Sequence, residues 1–357
     1  MPLKYRFLAD QLREEIYAQE WKNGHKLPTE AELAKRFGVS RQTVRRAIRL
    51  LTEEGMVEAR QGSGTFATGR AQSADAKQVA VISSFLDDYI FPTVLHDAQS
   101  VFAGHGYSIL VFATENQVSR EREILQNLLE QPVSGILVEG SKTALPSPNG
   151  DLYQRLRRAG VPMVFLHGAY SELSGIPCIS DDNYGGGYKL ARYLIDKGHR
   201  HIGGIFKSDD AQGPQRYYGC VSAIRDQGLP ISDRSFCWYD TTDRAQMMDP
   251  QESRMLRHFL TERLRDVTAV VCYNDEVAFV LIRELLAMGR RVPEDMAVVS
   301  FDNSYYSQIG PVHITSLWHR QSRMGRVAAE ELIRILQGQQ GMSRSLDWEL
   351  MERASSR

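Results

Sequence analysis

Residues 37–49 read Phe37-Gly38-Val39-Ser40-Arg41-Gln42-Thr43-Val44-Arg45-Arg46-Ala47-Ile48-Arg49, and their punctuation decides how the first part of the chain folds. Gly38 can take the positive φ that ends a helix, and Ser40 is a natural N-cap for a new helix over 41–54. That helix offers Val44, Ala47, Ile48 and Leu51 for burial on one side. Its other side and its first turn are left to Arg41, Gln42, Thr43, Arg45, Arg46 and Arg49. Upstream, Thr29 and Glu32 have capping-box spacing and open a helix running to about Phe37. Further upstream, Tyr5, Leu8, Leu12 and Ile16 recur at helical intervals within 3–19. Downstream, 56–60 and 65–67 predict two short strands around the tip Gln61-Gly62-Ser63-Gly64. Three helices followed by a hairpin predict a winged helix-turn-helix over residues 1–68.

The charge pattern says what such a head would hold. Residues 35–49 contain Lys35, Arg36, Arg41, Arg45, Arg46 and Arg49 and no acid. Residues 1–70 carry 13 basic and 9 acidic side chains, whereas the remaining 287 carry 30 and 35, so the net charge of -1 averages a basic head and an acidic body. That layout suits a protein that grips a polyanion with one end. Arg on an exposed helix face matches guanine edges and phosphates, Gln and Thr match bases or backbone, and a glycine-rich wing tip lets the main chain approach DNA closely. Gly62-Ser63-Gly64-Thr65-Phe66-Ala67 also fits a G-x-G-x-x-A dinucleotide loop. That motif needs a helix after it, and here a strand and a polar stretch follow.

Residues 69–77 are small and polar without an apolar period, as in a flexible linker. From 78 to 357 the pattern is α/β. Apolar runs at 79–83, 107–112, 135–138, 162–166, 202–206, 267–273 and 296–301 alternate with helix-period segments, which favours parallel sheets with ligands bound beyond the C-terminal strand ends. Those ends carry Asp87, Asp88, Tyr89 and Phe91, then Glu139, His167 with Tyr170, Lys207, Asn274 with Asp275, and Asp302, while Arg216 opens a helix nearby. Carboxylates and Arg suit paired hydroxyls and aromatic rings cover an apolar sugar face, so Tyr89, Phe91, Glu139, His167, Lys207, Arg216, Asp275 and Asp302 are candidate effector ligands. Residues 338–341 and 343–357 read as a final loop and tail with no assigned role.

Two resemblances add to this reading. Leu27-Pro28-Thr29-Glu30, residues 37–45 and Gln61-Gly62-Ser63-Gly64-Thr65-Phe66 resemble the winged helix-turn-helix of GntR-type bacterial regulators. That resemblance implies operator contacts from Lys4, Glu30, Arg41, Thr43, Arg45, Gln61 and Gly62. Ser180-Asp181-Asp182-Asn183-Tyr184-Gly185-Gly186-Gly187, Cys272-Tyr273-Asn274-Asp275-Glu276 and the run from Val292 to Asp302 resemble the effector domain of LacI/GalR regulators. It implies two subdomains of the periplasmic-binding-protein type, joined by three crossovers, closing on a ligand and dimerising, with Asp275 and Arg216 matching its sugar-hydroxyl ligands best. The pairing of this head with this body is similar to the arabinose-responsive repressors of Gram-positive bacteria. The implied partners are operator DNA, L-arabinose and a second copy of the chain, with another pentose, a hexose or a related polyol as the alternative effector.

Other classes are disfavoured. No stretch approaches the ~20 apolar residues of a membrane span, and Met-Pro-Leu-Lys-Tyr-Arg lacks the apolar run of an export signal, so a cytoplasmic protein is expected. Cys178, Cys220, Cys237 and Cys272 are isolated, which favours free thiols over a zinc site. No H-E-x-x-H, G-x-S-x-G or P-loop occurs, so neither metal, cofactor nor catalytic residue is expected. Asp275 with Asp302 could imitate an acid–base pair, but hydroxyl binding is the more economical role. A free-standing transport-type sugar-binding protein would need an export signal and no winged head.

Overall fold

A computed structural model describes residues 4–17, 24–53, 56–60, 63–67, 77–86, 89–249, 254–319 and 323–357. In the head, α1 (Lys4–Tyr17), α2 (Glu30–Phe37) and α3 (Arg41–Glu53) precede the antiparallel pair β1 (Val57–Arg60) and β2 (Gly64–Ala67). The capping box at Thr29 and Glu32 is formed, and Gly38 ends α2 at φ 64°. Ser40 Oγ accepts from Thr43 N at 3.2 Å, which starts α3. Leu8, Leu12, Leu33, Val44, Ala47 and Leu51 close one small core. Ile48, expected inside with them, is only half-buried at its edge.

The body begins with β3 (Gln78–Ser83), α4 (Phe91–Gly104), β4 (Ser108–Ala113), α5 (Val118–Glu130), β5 (Gly135–Val138), α6 (Gly150–Arg158), β6 (Met163–Leu166) and β7 (Cys178–Asp181). The chain then crosses to a second lobe: α7 (Asn183–Asp196), β8 (Ile202–Lys207), α8 (Gln212–Asp226), β9 (Phe236–Tyr239), α9 (Thr241–Met248), α10 (Arg254–Glu262), β10 (Ala269–Cys272), α11 (Asp275–Ala287), β11 (Ala297–Phe301) and β12 (Thr315–Trp318). It returns for α12 (Met324–Leu336) and β13 (Arg344–Leu346), and crosses a third time to β14 (Glu349–Met351).

The first lobe's sheet runs β13-β7-β6-β5-β3-β4 and the second β14-β12-β11-β10-β8-β9. Every pairing in the two is parallel except β12 with β14. Helices cover both faces of each sheet, which is why the strands read as continuous Val/Ile runs.

The tail departs from its expectation as a loop. Residues 344–351 supply one strand to each sheet, and Ser355 is buried, accepting from Thr315 N at 2.9 Å. Three-residue strands with one or two apolar side chains carry almost no periodicity, so only their partners reveal them. Gly187 allows α7 and α8 to meet, because a Cβ there would lie 2.0 Å from the carbonyl oxygen of Arg216. The Gly-rich run thus sets where Arg216 stands.

Candidate functional site

On the head, α3 exposes Arg41, Gln42, Arg45, Arg46 and Arg49, and Lys4 is exposed on α1. Thr43 is half-buried, its Oγ1 2.9 Å from Ser40 Oγ. Glu30, at the start of α2, holds Arg45, whose Nε lies 3.0 and 2.8 Å from its two oxygens. Both partners are solvent-exposed, so the pair contributes at most about 1 kcal/mol and can exchange for a phosphate or a guanine edge. Gln61 and Gly62 lie outside the described residues.

The two lobes of the body close on a cavity of about 630 Å³ of free space, part of it open to solvent. From the first lobe it receives Phe85, Tyr89, Phe91, Glu139, His167 and Asp181; from the second Lys207, Asp210, Arg216, Arg244, Tyr273, Asn274, Glu276 and Asp302. Three of these, Tyr89, His167 and Asp302, have φ of 59°, 62° and 91°, strained for non-glycine residues and typical of chain bent to aim a side chain.

Arg216 is 2% exposed and central. Its Nε donates to Asn183 Oδ1 at 2.9 Å, Nη1 donates to the Tyr273 carbonyl, and Nη2 stands 3.4 Å from Asp302 Oδ1 and 3.8 Å from Asp181 Oδ2. The guanidinium lies over the Phe301 and Tyr273 rings at 4.1 and 4.9 Å. Burial opposes its charge, but the Asp302 and Asp181 carboxylates overcome that and raise its pKa. Tyr89 O–H donates to Asp302 Oδ2 at 2.6 Å across the lobes. Burial and the nearby Asp302 and Asp275 charges push that phenol well up, which keeps it a donor.

Lys207 Nζ lies 3.0 Å from Asp209 Oδ1 and also pairs with Asp210. Glu139 accepts from Ser84 N at 2.8 Å and Ser83 Oγ at 3.1 Å, which aims the carboxylate at the cavity. His167 is 6% exposed, and among the described residues neither ring nitrogen makes a protein hydrogen bond; Asp181 Oδ2 is 3.6 Å from Nδ1, an ion-pair distance. Burial works against the imidazolium, yet Asp181, Glu139 and Asp302 outweigh it and push His167 up to about 9.

Asp275 is a correction to the sequence reading. It is fully buried and does not line the cavity; Asn274 does. Its carboxylate accepts from Ser300 Oγ and from Ser304 N, the latter at 2.6 Å, so it holds the backbone next to Asp302 from behind. Burial pushes it up to about 7 despite these bonds. Tyr170 likewise turns into the first lobe's core, bonded to Glu121 and the Ser141 carbonyl. Asp87 and Asp88 lie outside the described residues.

Sequence reading missed Arg244 and Glu276, which form a bidentate pair at the cavity wall with the guanidinium 5.0 Å from the Phe85 ring centroid. Arg244 lies within a polar helix and carries no strand-end signal. Asp181 stands last in β7, but that strand's polar residues gave no apolar run, so its strand-end position was not readable either. Asn116, whose Nδ2 donates to Asp210 Oδ1 at 3.0 Å and Thr241 Oγ1 at 2.6 Å, is a second clasp between the lobes.

Residues 4–67 match the family model of bacterial regulatory proteins of the gntR family, and residues 191–356 match a periplasmic binding protein-like domain. An arabinose metabolism transcriptional repressor from Halalkalibacterium halodurans is 35% identical over 98% of this chain and 93% of its own length. Another of that description, from Geobacillus stearothermophilus, is 34% identical over 94% and 91%. Among solved structures, the transcriptional regulator CelR in complex with cellobiose aligns at TM-score 0.68 and 24% identity, covering 92% of this chain and 100% of that one. A winged head on a two-lobed binding-protein body, in a chain this similar to transcriptional repressors, defines a ligand-responsive transcriptional regulator, not an enzyme. The chain belongs to the family of the arabinose metabolism transcriptional repressors.

Proposed function

We propose that this chain is a dimeric, cytoplasmic repressor of sugar-utilisation genes that leaves its operator when L-arabinose fills the cavity. One observation carries the ligand class: the wall sets His167, Lys207, Arg216 and Arg244 against Glu139, Asp181, Asp210, Glu276 and Asp302, with aromatic rings between them. Charges so nearly balanced leave no net field to hold an ion, whereas a neutral polyol can donate hydroxyls to carboxylates and accept from cations. The two relatives support arabinose within that class. Residues 1–68 would bind DNA through Lys4, Glu30, Arg41, Thr43, Arg45, Gln61 and Gly62. Residues 69–77 would link that head to the 78–357 body, which pairs with a second copy so that two α3 helices reach successive major grooves.

Sugar binding and operator binding then oppose each other by the same factor in both directions. Fluorescence anisotropy of labelled DNA from upstream of the gene, at fixed salt, tests this. L-arabinose should raise the operator Kd while glucose and ribose leave it unchanged. Release by another sugar instead would retain the regulator and replace the effector, and indifference to every sugar would refute the reading.

A further inference from the structure

The chain crosses between the lobes at Asp182, after β12 beyond His319, and at 347–348, and the side chain of His319 reaches the first and third of these paths. His319, leading into the second, places Nε2 2.8 Å from Asp181 Oδ1 beside the first. Its Nδ1 lies 2.8 Å from the Asp347 carbonyl on the third. Its ring stacks on Trp348 of that same crossover, centroids 3.9 Å apart and planes 22° apart. A carbonyl and a carboxylate are both acceptors, so the ring donates from both nitrogens and is an imidazolium. Burial disfavours that charge and the Asp181 carboxylate restores it, raising the pKa of His319. Asp181 is also a wall residue of the cavity, facing His167 of the first lobe and Arg216 of the second. The first and third crossovers are themselves joined by Asp182 N donating to Leu346 O at 3.0 Å.

We propose that His319 is a positioning residue, a pin that makes the three crossovers turn as one and carries occupancy of the cavity into them through Asp181. His319 is not among the residues lining the cavity, and its ring bonds Asp181 and the Asp347 carbonyl. Its role is therefore in transmission, and binding is left to the wall. The inference rests on the sugar-responsive function proposed above. Without the pin the lobes still close on a sugar, but the crossovers answer separately and less of the closure reaches the head.

The test uses the full chain with His319→Phe, which keeps a ring against Trp348 and loses both bonds, and His319→Gln, which keeps a donor towards Asp181. The readout is the ratio of operator Kd with and without saturating L-arabinose. For His319→Phe that ratio should fall at least tenfold, with His319→Gln between it and the parent, while operator Kd without sugar and L-arabinose Kd each change less than about fivefold. An unchanged ratio in folded variants would overturn the pin. So would a loss of ratio matched by an equal loss of sugar affinity, since His319 would then merely support the wall. Hydrogen exchange of the Asp182 amide reads the pin without sugar or DNA: it should quicken at least tenfold in His319→Phe, and an unchanged rate overturns the proposal. A parent chain that ignores L-arabinose would refute the functional reading alone, because amide exchange still decides on the pin.

Discussion

The head and the cavity both depend on arginine and carboxylate, yet they use the pair in opposite ways. Arg45 and Glu30 meet in water, 15 residues apart in sequence, and lose little if another anion replaces the glutamate. Arg216 meets Asp181 and Asp302 out of water, and its partners come from β7, from α7 and from the residues that directly follow β10 and β11. A charge kept in solvent is available to a ligand at almost no cost in stability, whereas a buried one is tolerated only while its whole set of partners is present. The first arrangement serves a surface that must come and go on DNA, the second a cavity whose shape must be decided before the ligand arrives.

The largest effect that would break this contrast is at Arg216. Arg216→Ala leaves Asp181 and Asp302 buried beside no guanidinium and should cost about 3–5 kcal/mol of body stability as well as the sugar response. Urea unfolding with calorimetric titration of L-arabinose measures both. A stable, inducible variant would mean that the cavity pairs are as exchangeable as the surface ones.

Next in size is the pH dependence of the body. His167 is held protonated above the ordinary imidazole range, so the stability its carboxylates lend is complete below about 6.5 and is lost as pH rises through about 9. The urea midpoint should fall across that window by the equivalent of up to about 3 kcal/mol, and His167→Gln should flatten the fall. Asp181, held well below the usual carboxylate range by His167 and His319 against the effect of burial, works in the other direction and loses its contribution only as pH falls below about 4.

The smallest effect on stability belongs to the head. Arg45→Ala should weaken operator binding by about 1–3 kcal/mol and shift unfolding by less than about 0.5 kcal/mol, with sugar affinity unaltered. Anisotropy and thermal unfolding separate the two, and a large loss of stability would place Arg45 with Arg216.

Legibility followed the same division. The capping box at Thr29, the turn at Gly38 and the basic face of α3 depend on residues within a few positions of each other, and each is where its spacing puts it. In the body, apolar runs located β3, β4, β5, β6, β8, β10 and β11, whereas β9, four residues at a sheet edge, was missed. β7, with Ser180 and Asp181, and β12, with Thr315 and Ser316, were not legible, because their polar side chains are satisfied by distant partners, as Thr315 Oγ1 is by the Arg353 carbonyl and the Ser356 hydroxyl. Strand ends located Tyr89, Phe91, Glu139, His167, Lys207 and Asp302 at the cavity, and the helix start located Arg216 there. The same rule could not tell Asn274 from Asp275. Neighbours at a helix start point in different directions, and only the packing of Ser300 and Ser304 turns the carboxylate inward.

The sequence by itself determined the order of elements, the basic head on an acidic body and the residue types at the strand ends, since helix caps, periodicity and net charge are local properties of the chain. Tertiary structure alone decided which charges pair, which carboxylate faces the cavity and that the tail completes both sheets. Those outcomes depend on groups tens to hundreds of residues apart being brought out of water together, where a charge or an unpaired polar atom is stable only beside its partner.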